Sequence, residues 1–373
     1  MTDPRVTRLA ELMASHSTEL GPQDKVLIHT FDIPDDAVVE FVKACQNRGA
    51  QVILRSVMGK SRRQLMLCLS EENIKTIADV ELHEMEQMTA YIALRGGENY
   101  AELSDISTET NAAWQKLYGQ TVVQHRVSKT KWCVTRWPSP SMAQQAGIST
   151  AAFEDFFFKV TTVDYARMSK ACEPLKELMD KTDQVHILGP GTDLKFSIKG
   201  IGSVPCCGEA NIPDGECFSA PVCDSMQGHI TYNTVSLYQG TEFNDVHYKV
   251  KDGRIFEATA GVNTGKLNDI LDTDEGARYF GEFALGFNPH ILEPMKDTLF
   301  DEKIAGSFHL TPGNAYDPPG GNGNVSAIHW DKVLIQRPEY GGGEIWFDGK
   351  LIRKDGEFIL EELKGLNQDQ LGA

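Results

Sequence analysis

The chain reads as an α/β N-terminal domain with a parallel sheet, followed by a β-rich α+β C-terminal domain that holds the metal-capable residues. Three observations predict this. A strand–helix–strand run lies between Lys25 and Leu54. An aromatic helical segment runs from Ala151 to about Thr182. Asp-Gly turn signals multiply once residue 185 is passed. The expected division is residues 1–184 and 185–373.

The first helix is expected from Arg5 to Leu20, where Val6, Leu9, Leu12 and Met13 fall at helical spacing. Lys25-Val26-Leu27-Ile28-His29 is a short β-branched run suited to a buried strand. After Pro34, the residues Val38, Phe41, Val42 and Cys45 repeat at helical spacing, and Gly49 stands past the helix end. Gln51-Val52-Ile53-Leu54 makes the next strand. Two strands joined by one helix across so few residues form a βαβ unit, hence a parallel sheet. The first βα turn, His29-Thr30-Phe31-Asp32-Ile33-Pro34, has no glycines. A dinucleotide pyrophosphate could not approach such a turn closely. In the segment from Ala151 to Thr182, the side chains of Phe153, Phe156, Phe157, Val160, Tyr165 and Met168 read as core. Trp132, Arg136 and Trp137 read as a structural aromatic cluster with an arginine.

Beyond residue 185 the punctuation is that of β-hairpins. Asp252-Gly253 separates Tyr248-Lys249-Val250 from Ile255-Phe256, Asp348-Gly349 separates Ile345-Trp346-Phe347 from Leu351-Ile352, and Asp355-Gly356 follows. Asp-Gly suits a two-residue hairpin because both central residues need positive φ.

Composition excludes several classes. The 373 residues carry a formal net charge of −17, and no basic cluster longer than Lys60-Ser61-Arg62-Arg63 appears, so nucleic acid is not an expected partner. No apolar run reaches bilayer length, and Met1-Thr2-Asp3-Pro4-Arg5 lacks the apolar core of a secretion signal, so no membrane contact and a cytoplasmic location are expected. The eight cysteines form no C-x-x-C pair and read as reduced thiols.

The chemistry-bearing residues concentrate in the second half. The stretch Asn324 to Ile335 reads as a strand, which would put His329 and Asp331 on one face with Val333 and Ile335. An imidazole and a carboxylate facing a core must pair with each other or ligate a metal, and this spacing alone leaves both open. His309 stands in Ala305-Gly306-Ser307-Phe308-His309-Leu310, a mostly apolar setting. Glu282 lies in Gly281-Glu282-Phe283-Ala284-Leu285-Gly286, and Glu216 in Asp214-Gly215-Glu216-Cys217-Phe218-Ser219-Ala220. Two glutamates, two histidines and an aspartate in such surroundings amount to ligands for two divalent ions of the zinc, cobalt, manganese or iron type.

Taken in order, several blocks resemble the aminopeptidase T family of metallopeptidases. They are Gly189-Pro190-Gly191-Thr192-Asp193-Leu194, Asn211-Ile212-Pro213 leading to Glu216, Asp274-Glu275-Gly276-Ala277, Gly281 to Gly286, Thr298 to Lys303, His309-Leu310 with Gly313-Asn314-Ala315-Tyr316, and Asn324, Ser326, His329 and Asp331. The resemblance implies that Glu216, Glu282, His309, His329 and Asp331 are metal ligands, one carboxylate bridging two ions. It implies that Tyr316 donates a hydrogen bond during turnover, and on chemical grounds Glu216 or Glu282 is expected to act as general base where it is not fully committed to a metal. It further implies a cobalt- or zinc-type homodimeric enzyme that removes N-terminal residues from peptides. Two departures stand out: Gly215 precedes Glu216 where the family carries a second acid, and the stretch from His309 to His329 is shorter. The alternative implied by the same superfamily is a ring-cleaving dihydroxypyridine dioxygenase with a single iron(II). In that relative the positions of Glu282 and His309 hold a histidine and an apolar residue, whereas here the dinuclear pattern is retained.

Overall fold

The computed structural model describes residues 3–238 and 240–372. The chain divides into two compact units, Met1–Thr162 with Gly208–Ile212, and Val163–Cys207 with Pro213–Ala373.

The first unit carries a parallel sheet with strands β1 (Lys25–Phe31), β2 (Gln51–Val57), β3 (Ala90–Arg95) and β4 (Lys131–Arg136). The order is β2-β1-β3-β4, with the short strand Asn211–Ile212 added beside β4. The predicted βαβ unit is present: β1 and β2 pair in parallel through the helix Asp35–Asn47, whose buried face includes Val38, Phe41 and Cys45. The first helix is shorter than expected, ending at Leu12, and Met13–Ser17 continues as a π-helical turn.

The aromatic segment after Ala151 is two helices, Thr150–Thr161 and Tyr165–Lys181. Asp164 breaks the run, its carboxylate capping the second helix at the Arg167 N–H. Of the expected core residues, Phe153, Phe157, Val160, Tyr165 and Met168 are buried, whereas Phe156 is only half-buried. Helix Tyr165–Lys181 groups with the second unit, so the division falls earlier than residue 185. The helix packs against the turn Glu361–Leu366. Its apolar stripe announces a buried face, but a stripe carries no information about which element covers it.

The second unit holds an eight-stranded sheet and a five-stranded antiparallel sheet. All three Asp-Gly pairs form the predicted turns: Asp252, Asp348 and Asp355 have φ of 49°, 48° and 50°, and the glycines after them 75°, 78° and 85°. The five-stranded sheet is ordered Lys332–Ile335, Ser307–Pro312, Phe280–Gly286, Glu216–Ser219, Val204–Cys206. Its two faces differ. Phe283 and Phe308 lie on one face, their rings 6.5 Å apart, and Phe283 meets Phe196 of the larger sheet at 5.0 Å. Alternation along the same strands sends Glu282, Ala284 and Gly286 to the other face.

The expected strand over 324–335 is confined to Lys332–Ile335. His329 makes only an isolated bridge to Gly313. Asn324 explains the irregular stretch, because its side-chain amide donates to the carbonyls of Gly276 and Gly313, tying the chain down without a ladder. Gly313 is required there: its φ is +108°, and a Cβ would come within 2.2 Å of the Ile328 carbonyl oxygen.

Candidate metal centre

Register decides how the side chains meet. In the central strand Phe280–Gly286, Ala284 stands opposite His309 on one side and Phe218 on the other, and Gly286 stands opposite Glu216. Paired residues share a face. A single carboxylate, Glu282, is therefore followed on that face by two minimal side chains. The space above Ala284 and Gly286 is left for His309 and Glu216, arriving from the flanking strands.

The five residues singled out from sequence converge. His309 Nε2 lies 3.4 Å from Glu282 Oε1 and 3.7 Å from Glu216 Oε2. His329 Nε2 lies 3.3 Å from Glu282 Oε2 and 3.2 Å from Asp331 Oδ1. Glu216, Glu282 and His309 form one group with ligand-capable atoms within 4.8 Å of one another, and Glu282, His329 and Asp331 form a second. Glu282 belongs to both, one oxygen turned to each group. His329 and Asp331 do share a side, though not through strand alternation.

Hydrogen bonds set the orientations. His329 Nδ1 lies 2.8 Å from the Asn314 carbonyl oxygen. Donation to that carbonyl leaves the Nε2 lone pair facing the carboxylates. Thr311 donates to Asp331 Oδ1 at 2.6 Å. Glu216 Oε2 is buried and has no hydrogen-bond partner. A buried carboxylate oxygen without a partner, beside an imidazole nitrogen, is an arrangement a cation satisfies. The donor set therefore fits a metal.

The ionisation balance is that of a carboxylate cluster. Burial pushes His309 down, but the Glu282 hydrogen bond and the charges of Glu216, Glu282 and Asp331 outweigh it and raise its pKa to about 9. His329 is raised well above its ordinary value against burial, by Asp331 and Glu282. Burial opposes ionisation of Glu282 and Asp331 too, yet the two imidazoles hold both below the usual carboxylate range. Glu216 is raised, by burial first and by Glu282, against the pull of Lys303 and His309.

Tyr316 stands at the rim. Its ring lies 5.2 Å from that of His329 and 5.1 Å from that of Phe218, and the residue is 51% exposed. Desolvation, with the charges of Glu282 and Asp331, keeps its pKa well above that of a free phenol.

Sequence reasoning missed four neighbours. Lys303 is 1% exposed, and its Nζ reaches Glu216 Oε1 at 2.5 Å, Glu302 at 2.9 Å and Asp214 at 3.5 Å. Cys206 groups with Asp214 and Glu216, and Glu302 with His309 and Asp331. Glu302 and Lys303 lie in the segment Thr298 to Lys303, and nothing local in the sequence reveals that an ammonium 87 residues away meets Glu216. The departure at Gly215 also has a structural reason: its φ is +133°, and a Cβ would come to 3.0 Å from the Asn288 backbone. The nearby acid is instead Asp214, 1% exposed.

The structure resembles wild-type AmpT from Thermus thermophilus, with TM-score 0.78 at 20% identity over 96% of this chain and 99% of that one. It also resembles a 2,5-dihydroxypyridine dioxygenase from Pseudomonas putida KT2440, with TM-score 0.63 at 12% identity over 97% and 99% of the two chains. Both likenesses speak to fold. In sequence, the chain is 28% identical to aminopeptidase AmpS of Bacillus subtilis (strain 168) over 57% of this chain and 60% of that protein. It is 32% identical to aminopeptidase T of Thermus thermophilus over 40% and 42%. The chain thus matches about half the length of these relatives. The model of one family covers residues 2–358, and on that match the chain belongs to the thermophilic metalloprotease (M29) family.

Proposed function

We propose that the protein is a metal-dependent aminopeptidase that removes N-terminal residues from peptides, in which Glu216, Glu282, His309, His329 and Asp331 would hold two divalent ions, Glu282 being shared by the two ligand groups. The observation that carries this reading is the shared Glu282 carboxylate, with Oε1 beside His309 and Oε2 beside His329. When bound, such a pair of ions polarises a scissile carbonyl and makes water a nucleophile near neutral pH.

The chain's own residues supply the rest. The Asn314 carbonyl fixes the His329 tautomer. Lys303 engages Glu216 Oε1, which leaves Oε2 free toward His309. Glu216, raised by burial, is a better holder of a transferred proton than Glu282, which two imidazoles keep ionised. Tyr316, with its elevated pKa, keeps its proton and can donate to the oxyanion that develops on the substrate carbonyl.

Cobalt, zinc or manganese is the proposed metal, and a cytoplasmic homodimer the proposed state. No helix among the described residues is long and apolar enough to cross a membrane.

The test is hydrolysis of a panel of aminoacyl amides by chelator-stripped protein, repeated after adding back cobalt, zinc, manganese or iron(II). Restored hydrolysis with two ions counted per chain by elemental analysis supports the reading. Metal binding without hydrolysis, together with oxygen consumption on a dihydroxypyridine in iron(II), would replace it with the ring-cleaving alternative.

A further inference from the structure

The parallel sheet of the first unit changes character along its strands. On one face β1 presents Leu27, His29 and Phe31, β2 presents Ile53, Arg55 and Val57, and β3 presents Tyr91, Ala93 and Arg95, aligned in register. The opening layer is apolar: Leu27 and Tyr91 pack with Ile74, Met85 and Val122. Toward the C-terminal ends the layer becomes cationic. Arg55 and Arg95 are joined there by Arg62 from helix Gly59–Met66 and Arg126 from helix Gln124–Lys129, all four acting on His29. Such a gathering in a chain of net charge −17 calls for a local cause.

One of the four is neutralised at close range. Arg55 meets Glu81 at 2.5 Å and Glu84 at 2.7 Å. Arg62, Arg95 and Arg126 have no carboxylate at ion-pair distance among the described residues, although Arg126 is only 5% exposed and the other two are half-buried. Arg62 and Arg95 instead lie by the Phe31 ring, at 5.5 Å and 5.1 Å from its centroid. Arg126 lies over the Tyr91 ring at 3.9 Å and its Nη2 donates to the Tyr118 hydroxyl at 3.5 Å, while its Nε has no hydrogen-bond partner.

The neutral member of the group also has a ring nitrogen without a partner. His29, 6% exposed, has Nδ1 at 3.1 Å from the Tyr91 hydroxyl, while its Nε2 has no partner. With the Tyr91 hydroxyl donating to Nδ1, the ring proton resides on Nε2. Burial first, then the arginines, push the His29 pKa down to about 3, so the ring stays neutral. The group therefore presents N–H donors and positive charge that protein acceptors meet only in part, through the Tyr118 hydroxyl beside Arg126. Buried donors of that kind are rare in folded proteins unless a ligand completes them.

Topology marks the same place. The order β2-β1-β3-β4 reverses direction at β1, and open α/β sheets leave a ligand crevice beyond the strand C-termini at such a point. The neighbouring cavity of about 340 Å³ is lined by Asp32, Glu98 and Glu102 with Lys60, the wrong balance of charge for an anion. We propose that the arginine face itself, at the ends of β1 and β3, is a binding site for a small multivalent oxyanion, held by the guanidinium groups of Arg62, Arg95 and Arg126 and by the Nε2–H of His29. Carboxylate and phosphate share the needed chemistry: planar or tetrahedral oxygens that accept several N–H bonds at once.

The test is calorimetric titration of the full metal-loaded chain with inorganic phosphate, sulfate and succinate, each against chloride at matched ionic strength. The expected result is saturable binding of a single oxyanion per chain, weakened about tenfold or more in Arg95→Met and Arg62→Met, as for loss of a charged hydrogen-bond donor. Binding should persist in His329→Ala. Preference for phosphate and sulfate assigns an inorganic or phosphoryl ligand, and preference for succinate assigns an organic acid. Thermal melts give a second readout. Without oxyanion Arg95→Met should melt at or above the wild-type temperature, because an unpaired cation has gone, and it should lose the oxyanion-dependent rise. Absence of saturable binding by all three ions, or binding that survives both arginine variants, or binding lost only in His329→Ala, overturns the proposal.

Discussion

His29 and His309 are both buried imidazoles on interior strands of their sheets, and burial lowers the pKa of each. Their outcomes are opposite, about 3 for His29 and about 9 for His309. Four arginines surround the first, while Glu216, Glu282 and Asp331 surround the second. The contrast teaches that in this molecule the sign of the local charge, more than the depth of burial, sets what a polar cluster can do. An acid-rich cluster with two imidazoles is suited to cations. A guanidinium-rich cluster with a neutral imidazole is suited to anions.

The largest expected effect is at the acid-rich centre. His329→Ala or Asp331→Ala should lower kcat/KM by about 10³-fold or more, the consequence of losing several kcal/mol of charge stabilisation. Elemental analysis should show fewer bound ions, while far-ultraviolet circular dichroism stays that of the folded chain. Full activity in either variant would remove these residues from the centre.

Lysine 303 offers the sharpest test of the charge contrast. Lys303→Met leaves Glu216, Glu302 and Asp214 buried without their shared cation, and urea unfolding should show a loss of about 3–5 kcal/mol. Arg95→Met, which removes a cation from the opposite kind of cluster, should show no such loss. Equal destabilisation by the two substitutions would break the comparison.

Gly215→Ala should cost about 1–3 kcal/mol, because the residue sits at φ +133° with Asn288 against the added carbon. The measurement is again urea unfolding, and an unchanged midpoint would mean that the backbone relaxes there.

The smallest effects are on pH dependence, read in chelator-stripped protein. The raised pKa of His309 means the folded state binds a proton more tightly than the unfolded one. Its contribution is full below pH 6.5 and is lost as pH rises through about 9. The depressed pKa of His29 has the reverse sign: its contribution is present above pH 6.5 and is lost as pH falls toward about 3. Comparing unfolding curves of His309→Gln and His29→Gln with wild type should flatten the alkaline side in the first and the acid side in the second. The same slope in both variants would contradict the opposite shifts.

Much of the local structure was legible in the sequence. The βαβ run from Lys25 to Val57 followed from hydrophobic periodicity. The three Asp-Gly turns followed from the positive φ that each demands. Both signals act over a few residues, where the chain's own sterics dominate. The five candidate ligands were legible as polar side chains in apolar surroundings and by family resemblance, because burying such groups without a partner is costly.

Other features depended on contacts between distant segments. The irregular path from Asn324 to Asp331 is imposed by Asn324 bridging to Gly276 and Gly313, so its strand-like alternation does not become a strand. The grouping of helix Tyr165–Lys181 with the second unit depends on what covers its stripe. The chain by itself determined which residues are chemically unusual and where the backbone must turn. Only the tertiary structure decided that Glu282 faces two imidazoles at once, that Lys303 holds Glu216, and that arginines from two strands and two helices converge on His29. The physical reason is that turn and strand preferences are local energies, whereas electrostatic environment is a sum over neighbours that sequence separation does not order.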